Sequence, residues 1–360
     1  MGSDPFTRTP GVAGKAYIDN GIADEIINSI CDEESEKYIF KITGLRGSGK
    51  SVEYGKIIRT MKEKKKWLVY PLSSSGNGVK TFLSKLSNED FINDQKSSVT
   101  ISSSISAEGN LLAVSGKGNI DLSKTTEYND NFYDLEAQLV QMVEKANKKG
   151  YRILIGVDDI SKTPSMTSLL SIVSSMILEG LKIYLIVTGL SENIEDFSSE
   201  KNLSFFRRAD AYELKSLNKY DITYMYEKLL GINTSEAKAL EDITMGYAYA
   251  YQVLGSLYFR KKESETIEDL IPEFERILFK DSYDLIWKSI SNGEKEFLKL
   301  LYASGTGKAG DIKALMKNPS SYSVIRERLI NKHILNGEER GMLKINLPRF
   351  DKYIEIWGDN

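Results

Sequence analysis

Apolar and polar positions change their period several times along the chain, and each change marks an element. KYIFKIT (37–43) alternates and is rich in β-branched and aromatic residues, the pattern of a strand, and it runs into a glycine-rich loop. Beyond the loop the period predicts a helix from Val52 to Lys65, then strands at WLVYPL (67–72), YRILIGVDD (151–159) and LKIYLIVTG (181–189). The third strand is nearly continuous in apolar residues, as expected of a parallel strand buried on both faces. Helical periods occupy 134–149 and 165–179. Strands alternating with helices predict a doubly wound α/β domain: a parallel sheet, helices on both faces, and a ligand at the carboxyl ends of the strands.

One segment departs from that rhythm. Residues 97–122 alternate with period two and are broken by Glu108-Gly109-Asn110 and Gly116-Lys117-Gly118, which reads as an inserted β-ribbon, with a disordered serine-rich loop as the alternative. Beyond Leu217 the strand signals stop, and 218–289 reads as a small helical domain, with SEAKALEDIT and TIEDLIPEFERILF as its clearest helices. From 290 to 360 three short helices and a Gly337–Gly341 turn predict a winged helix. The α/β domain is thereby expected over 9–217. Residues 1–8 read as an expression remnant or leader outside the fold.

Composition narrows the chemistry. At 41% hydrophobic and 28% charged residues the chain is globular, and no stretch approaches the ~18 apolar residues of a membrane span. No secretory signal is seen, so a cytoplasmic address is expected. One cysteine, Cys31, and one histidine, His333, argue against a disulfide, a His/Cys metal site and Ser-His or Cys-His catalysis. That leaves lysines, carboxylates, arginines and a bound ligand. Residues 290–360 hold 12 Lys/Arg against 9 Asp/Glu, a mildly basic tail that permits nucleic-acid contact without requiring it.

The chemistry concentrates at Gly44-Leu45-Arg46-Gly47-Ser48-Gly49-Lys50-Ser51, which satisfies G-x-x-x-x-G-K-[ST] between a strand and a helix that begins near Val52. Glycines let backbone N–H groups wrap phosphates, the helix offers its positive end, Lys50 reaches the β- and γ-phosphates, and the Ser51 hydroxyl ligates Mg²⁺. Asp158, ending a buried strand, is the second expected Mg²⁺ ligand, and Asp159 is expected to orient or deprotonate the attacking water. Many such sites carry glutamate at the latter position. The shorter aspartate therefore keeps open slow hydrolysis, or nucleotide sensing without turnover. An N-K-x-D element for guanine is not apparent.

The order of these motifs resembles the P-loop ATPases of the AAA+/STAND group, in particular the archaeal-type ATPases related to replication initiators, over roughly residues 9–357. That resemblance implies an ATP- and Mg²⁺-dependent ATPase with Thr188 at the fourth strand end as γ-phosphate sensor. It implies that Arg207 or Arg208, following Leu203-Ser204-Phe205-Phe206, reaches into a neighbouring subunit's site, so the chain itself or another protein is an expected partner. Val12 and Ala13, in TPGVAGKAYIDNG, correspond to the adenine pocket, with Lys15 where arginine is usual. GYAYAYQVLG (246–255) resembles the lid-helix segment but lacks the arginine that faces the γ-phosphate, which favours a switch over a ring motor. VIRERLINKHILNGEERGMLKINLPRFDKYI resembles the terminal winged helix. There Tyr322, Arg326, Arg328, Lys332 and, at the wing, Arg340 are the implied contacts to double-stranded DNA, and packing or protein docking is the other role open to this domain.

Overall fold

In the computed structural model the described residues are 2–92, 132–200 and 203–358, so the β-ribbon expected at 97–122 lies outside them. The α/β portion runs α1 (Ile22–Cys31), β1 (Ile39–Gly44), α2 (Lys50–Glu63), β2 (Trp67–Ser73), α3 (Gly78–Ser87), α4 (Phe132–Lys148), β3 (Arg152–Asp158), α5 (Pro164–Leu178) and β4 (Ile183–Gly189). It continues through α6 (Ser191–Ser198) and α7 (Ser204–Arg208) to β5 (Asp210–Leu214). The five strands form one parallel sheet in the order β2-β3-β4-β1-β5. Four of them match the expected strands. The fifth, DAYEL, was not expected: it sits at the sheet edge, and its burial alternates without an apolar run.

Period-two alternation divides the sheet cleanly. Ile153, Ile155, Val157, Leu185 and Val187 face one apolar cluster that includes α3, α4 and α5, whereas Phe40, Ile42, Leu154 and Ile186 face a second built on α1 and α2. Both faces are covered, which is why β3 and β4 read as unbroken apolar runs. Gly156 is the point of closest approach to α2: a Cβ there would lie 2.7 Å from the Tyr54 hydroxyl and 2.8 Å from Ile58 Cδ1.

The rest of the described chain is mainly helical: α8 (Lys219–Leu230), α9 (Thr234–Thr244), α10 (Ala248–Arg260), α11 (Ile267–Leu278), a π-helical turn (Phe279–Tyr283) and α12 (Asp284–Ser289). Then come α13 (Asn292–Ser304), α14 (Ala309–Leu315), α15 (Tyr322–Asn331), an antiparallel pair β6 (Leu335–Asn336) and β7 (Lys344–Ile345), and α16 (Phe350–Trp357). Three helices followed by a hairpin is the expected order for 290–360. One apolar cluster runs through all of these elements and crosses the boundary expected at 289/290. At the crossing the Tyr283 hydroxyl donates to the Pro348 carbonyl at 2.5 Å, and its ring meets Phe350 edge-on at 4.9 Å.

The amino terminus corrects an expectation. Residues 4–8 are part of the fold: Phe6 is buried between Tyr226 and Tyr251, and the Ser256 hydroxyl donates to Asp4 at 2.6 Å. Gly255 makes room for the ring, since a Cβ there would lie 2.3 Å from Phe6. The pattern DPFTR is too short to show a period, so nothing local distinguished it from a tail.

Candidate functional site

Parallel register brings the chemistry to one edge of the sheet. Val157 pairs with Val187 and Ile42 with Thr188, so the ends of β3, β4 and β1 lie side by side, and the loop at 44–51 leaves that edge to enter α2. Gly44, Gly47 and Gly49 have φ of +146°, +78° and +105°, conformations that a side chain resists, and this is what lets the loop curl. The Lys50 ammonium is buried and donates to the Gly44 and Leu45 carbonyls at 3.0 and 2.9 Å. Burial pulls its pKa down to about 8, opposed by the charge of Asp159 and reinforced by Arg46. Ser48 Oγ is buried with no hydrogen-bond partner among the described residues.

The carboxylate end of β3 is tied to β4 through Thr188. This fully buried hydroxyl donates to Asp158 Oδ1 at 2.5 Å and accepts from the Asp159 N–H at 2.9 Å. Both polar functions of Thr188 are thereby engaged in placing the two acids. Asp159 itself is exposed and sits at φ +51°, a left-handed conformation uncommon outside glycine, asparagine and aspartate.

A cavity of about 500 Å³ collects these groups. Its walls include Arg46 through Glu53, Asp158, Asp159 and Thr188, and it is closed by two elements from elsewhere: residues 7–12 of the amino terminus, and Ala248, Tyr249 and Gln252 at the head of α10. Val12 lines the cavity, whereas Ala13 is exposed and is not among the lining residues. Gln252 holds the two elements together, accepting from the Thr7 N–H at 2.9 Å and donating to the Ala16 carbonyl at 3.2 Å. Glu53, one turn into α2, is buried and accepts from the Tyr17 hydroxyl at 2.8 Å and from the Ala23 N–H at 3.3 Å, anchoring the strap between them. Burial raises its pKa. Sequence reading passed over Glu53, Tyr17, Tyr247 and Tyr249, because their partners are distant in the chain and no motif spacing links them.

The arginine pair is elsewhere. Arg207 and Arg208 are exposed at the end of α7 and do not line the cavity. Lys41 fixes that helix end, donating to the Phe206 and Arg207 carbonyls at 2.8 and 3.4 Å. Burial lowers the pKa of Lys41, offset in part by the charge of Asp210.

The expected nucleic-acid face is corrected in three of its five residues. Tyr322 is core, packed on Phe297 at 5.5 Å, and Lys332 is held by Glu294 at 3.0 Å and Glu192 at 3.7 Å. Arg326 donates to the Gly337 carbonyl at 3.1 Å and lines a second cavity, between the C-terminal domain and the back of the loop. Arg328 and Arg340 are exposed. The helix packs Tyr322 and Leu329 into the helical cluster and turns Arg326 and Ile330 to the cavity shared with Glu213 to Ser216, a rotation that its weakly periodic sequence did not reveal.

A family model described as a domain of unknown function (DUF8462) matches residues 281–354, from the π-helical turn into α16. No curated protein matches the chain in sequence. Among solved structures, the ORC2 protein of Aeropyrum pernix in its ADPNP–ADP complexes is similar, with a TM-score of 0.59 at 11% identity over 95% of this chain and 93% of that one. Cdc6p from Pyrobaculum aerophilum gives 0.43 at 12% identity over 96% and 97%. A Signal Transduction ATPase with Numerous Domains from Pyrococcus horikoshii, with a tetratricopeptide repeat sensor, gives 0.40 at 16% identity over 98% and 44%. The five-stranded parallel sheet of this chain and its likeness to the ORC2 protein along nearly the whole of both chains give it the fold of that protein.

Proposed function

We propose that the chain binds ATP in the 500 Å³ cavity and hydrolyses it with Mg²⁺, slowly, as a nucleotide-driven switch. The observation that carries this reading is convergence: a glycine loop, a buried lysine, two acids and a buried threonine from three strand ends meet in one cavity. A polyphosphate fits what the loop offers. Lys50 is a buried cation whose acceptors are carbonyls of its own loop, and Ser48 carries a buried hydroxyl without a partner. The nucleotide complexes of the similar ORC2 protein support the same ligand class.

In this reading Lys50 moves from the loop carbonyls onto the β- and γ-phosphates, and Ser51 and Asp158 would hold Mg²⁺, which neutralises developing phosphate charge. Asp159 orients the attacking water and accepts its proton, while Thr188 keeps both acids in place. Arg207 or Arg208, exposed and outside the lining of their own cavity, would complete the site of a neighbouring subunit. The helical segment 218–289 acts as lid, and 290–360 as a winged helix that reports nucleotide state to duplex DNA or a protein partner.

A second reading, nucleotide binding without turnover, is favoured by the exposed position of Asp159 and by the lid helix, which offers Tyr249 and Gln252 to the cavity and no arginine. Steady-state phosphate release separates the two. Turnover that vanishes in both Lys50→Ala and Asp159→Asn, with ATP binding kept in Asp159→Asn, is the expected result. Release no greater than that of Lys50→Ala would leave the switch without catalysis.

A further inference from the structure

The glycine loop is held from behind. Tyr247, just before α10, is buried and lines not the nucleotide cavity but the second one, of about 630 Å³. Its hydroxyl donates to the Arg46 carbonyl at 2.7 Å and lies 2.7 Å from Ser282 Oγ in the π-helical turn. A phenol has one proton to give. With that proton on Arg46, the Ser282 hydroxyl must be the donor to Tyr247, and the three groups form a directed chain. Two residues on, the Tyr249 N–H donates to the Gly47 carbonyl at 3.1 Å. The contact is close enough that a Cβ on Gly47 would lie 2.2 Å from the Tyr247 hydroxyl.

Carbonyl direction decides amide direction. In a trans peptide the C=O and the following N–H point opposite ways, and no peptide here is cis. The Arg46 carbonyl is held toward Tyr247, so the Gly47 N–H is turned the other way, to the side where Gly47 lines the nucleotide cavity. The next amide, Ser48 N–H, is already spent on the Leu45 carbonyl at 3.1 Å. Gly47 therefore presents an amide to an anion ahead of those at the start of α2.

Resting on the ATP reading above, we propose that Tyr247 is a positioning residue for the phosphate cradle: its hydroxyl, oriented by Ser282, sets the Arg46–Gly47 peptide so that Gly47 N–H meets the β-phosphate side of a bound nucleotide. The lid thus shapes the loop from outside, and the α10 segment needs no arginine to sense occupancy. Ser282 precedes Tyr283, whose hydroxyl bonds Pro348, so the same chain links the cradle to the C-terminal domain.

Calorimetric titration with ADP and with AMP tests this. Tyr247→Phe keeps the ring and removes the hydroxyl, and loss of one buried hydrogen bond is expected to weaken ADP about tenfold while AMP, which has no β-phosphate, is bound as before. Ser282→Ala, which leaves both rings in place, is expected to lose ADP affinity in the same selective way by a smaller factor. Equal loss of ADP and AMP in both variants, or no loss in either while the wild type binds ADP, overturns the positioning role alone. A wild type that binds neither nucleotide overturns the ATP reading, and this inference with it.

Discussion

Lys50 enters the fold as a cation whose burial works against its charge. Its pKa falls to about 8 from an ordinary 10.5, so between those values the unfolded chain holds a proton that the folded chain has released. Stability therefore rises with pH across that window, and the cost of keeping Lys50 charged is present in full below it. Phosphate oxygens would favour the charged form. ATP binding at about pH 9 should thus take up a proton, read by titration calorimetry in two buffers of different ionisation heat, and the uptake should disappear at about pH 6.5, where Lys50 already carries it. Binding without proton uptake at the higher pH would mean that the ammonium does not meet the phosphates. At this scale the glycine loop was legible from spacing alone, because the cradle is local, and Asp158 was singled out by its place at the end of an apolar strand. The engagement of Thr188 with both acids was not, since it depends on the register between β3 and β4.

At the scale of elements, apolar run length decided what could be read. The interior strands β1, β3 and β4 and the cleanly alternating β2 carried strong signals, whereas β5, five residues that include Asp210 and Glu213 with only Leu214 buried, left none. The amino-terminal segment was missed for a related reason: its single apolar anchor, Phe6, makes sense only against Tyr226, Tyr251 and Gly255, more than two hundred residues away in sequence. Its contribution is testable. Phe6→Ala should destabilise the helical segment that holds Tyr226 and Tyr251 by about 3 kcal/mol in denaturant unfolding, a typical cost of emptying a buried aromatic site. It should also weaken nucleotide binding, because Thr7 to Val12 form one wall of the cavity. Unchanged stability would show that the segment only rests on the lid.

Across the whole molecule, polar side-chain contacts tie the C-terminal segment to the α/β portion. Lys332 reaches Glu192, four residues beyond Thr188, and His333 Nε2 lies 3.0 Å from Glu213 near the end of β5. Each pair is partly exposed and weak alone, on the order of 1 kcal/mol or less. Together they tie the end of α15 to the start of α6 and to β5. Glu192→Gln combined with Glu213→Gln should release this contact: faster amide exchange in α15, and tighter, salt-sensitive binding of duplex DNA by fluorescence anisotropy as this side of the C-terminal segment is uncovered, with Lys332 still paired to Glu294 and Arg326 to the Gly337 carbonyl. Faster exchange with no gain in DNA affinity would assign the domain to packing or protein docking.

The sequence by itself determined the elements that obey a local rule: alternation for buried strands, the 3.6-residue period for helices, and a fixed spacing of glycine, lysine and serine for a phosphate cradle. Those rules act within one turn or one strand, so neighbouring residues carry all the information. The tertiary structure alone decided what meets across the fold: Thr188 with two acids, Tyr247 with the Arg46 carbonyl, Phe6 with Tyr226 and Tyr251, and Arg326 with the cavity beside β5. Each of these depends on packing between segments far apart in the chain, where a side chain's partner is chosen by geometry and by the cost of leaving a buried polar group unpaired, and neither is written in local spacing.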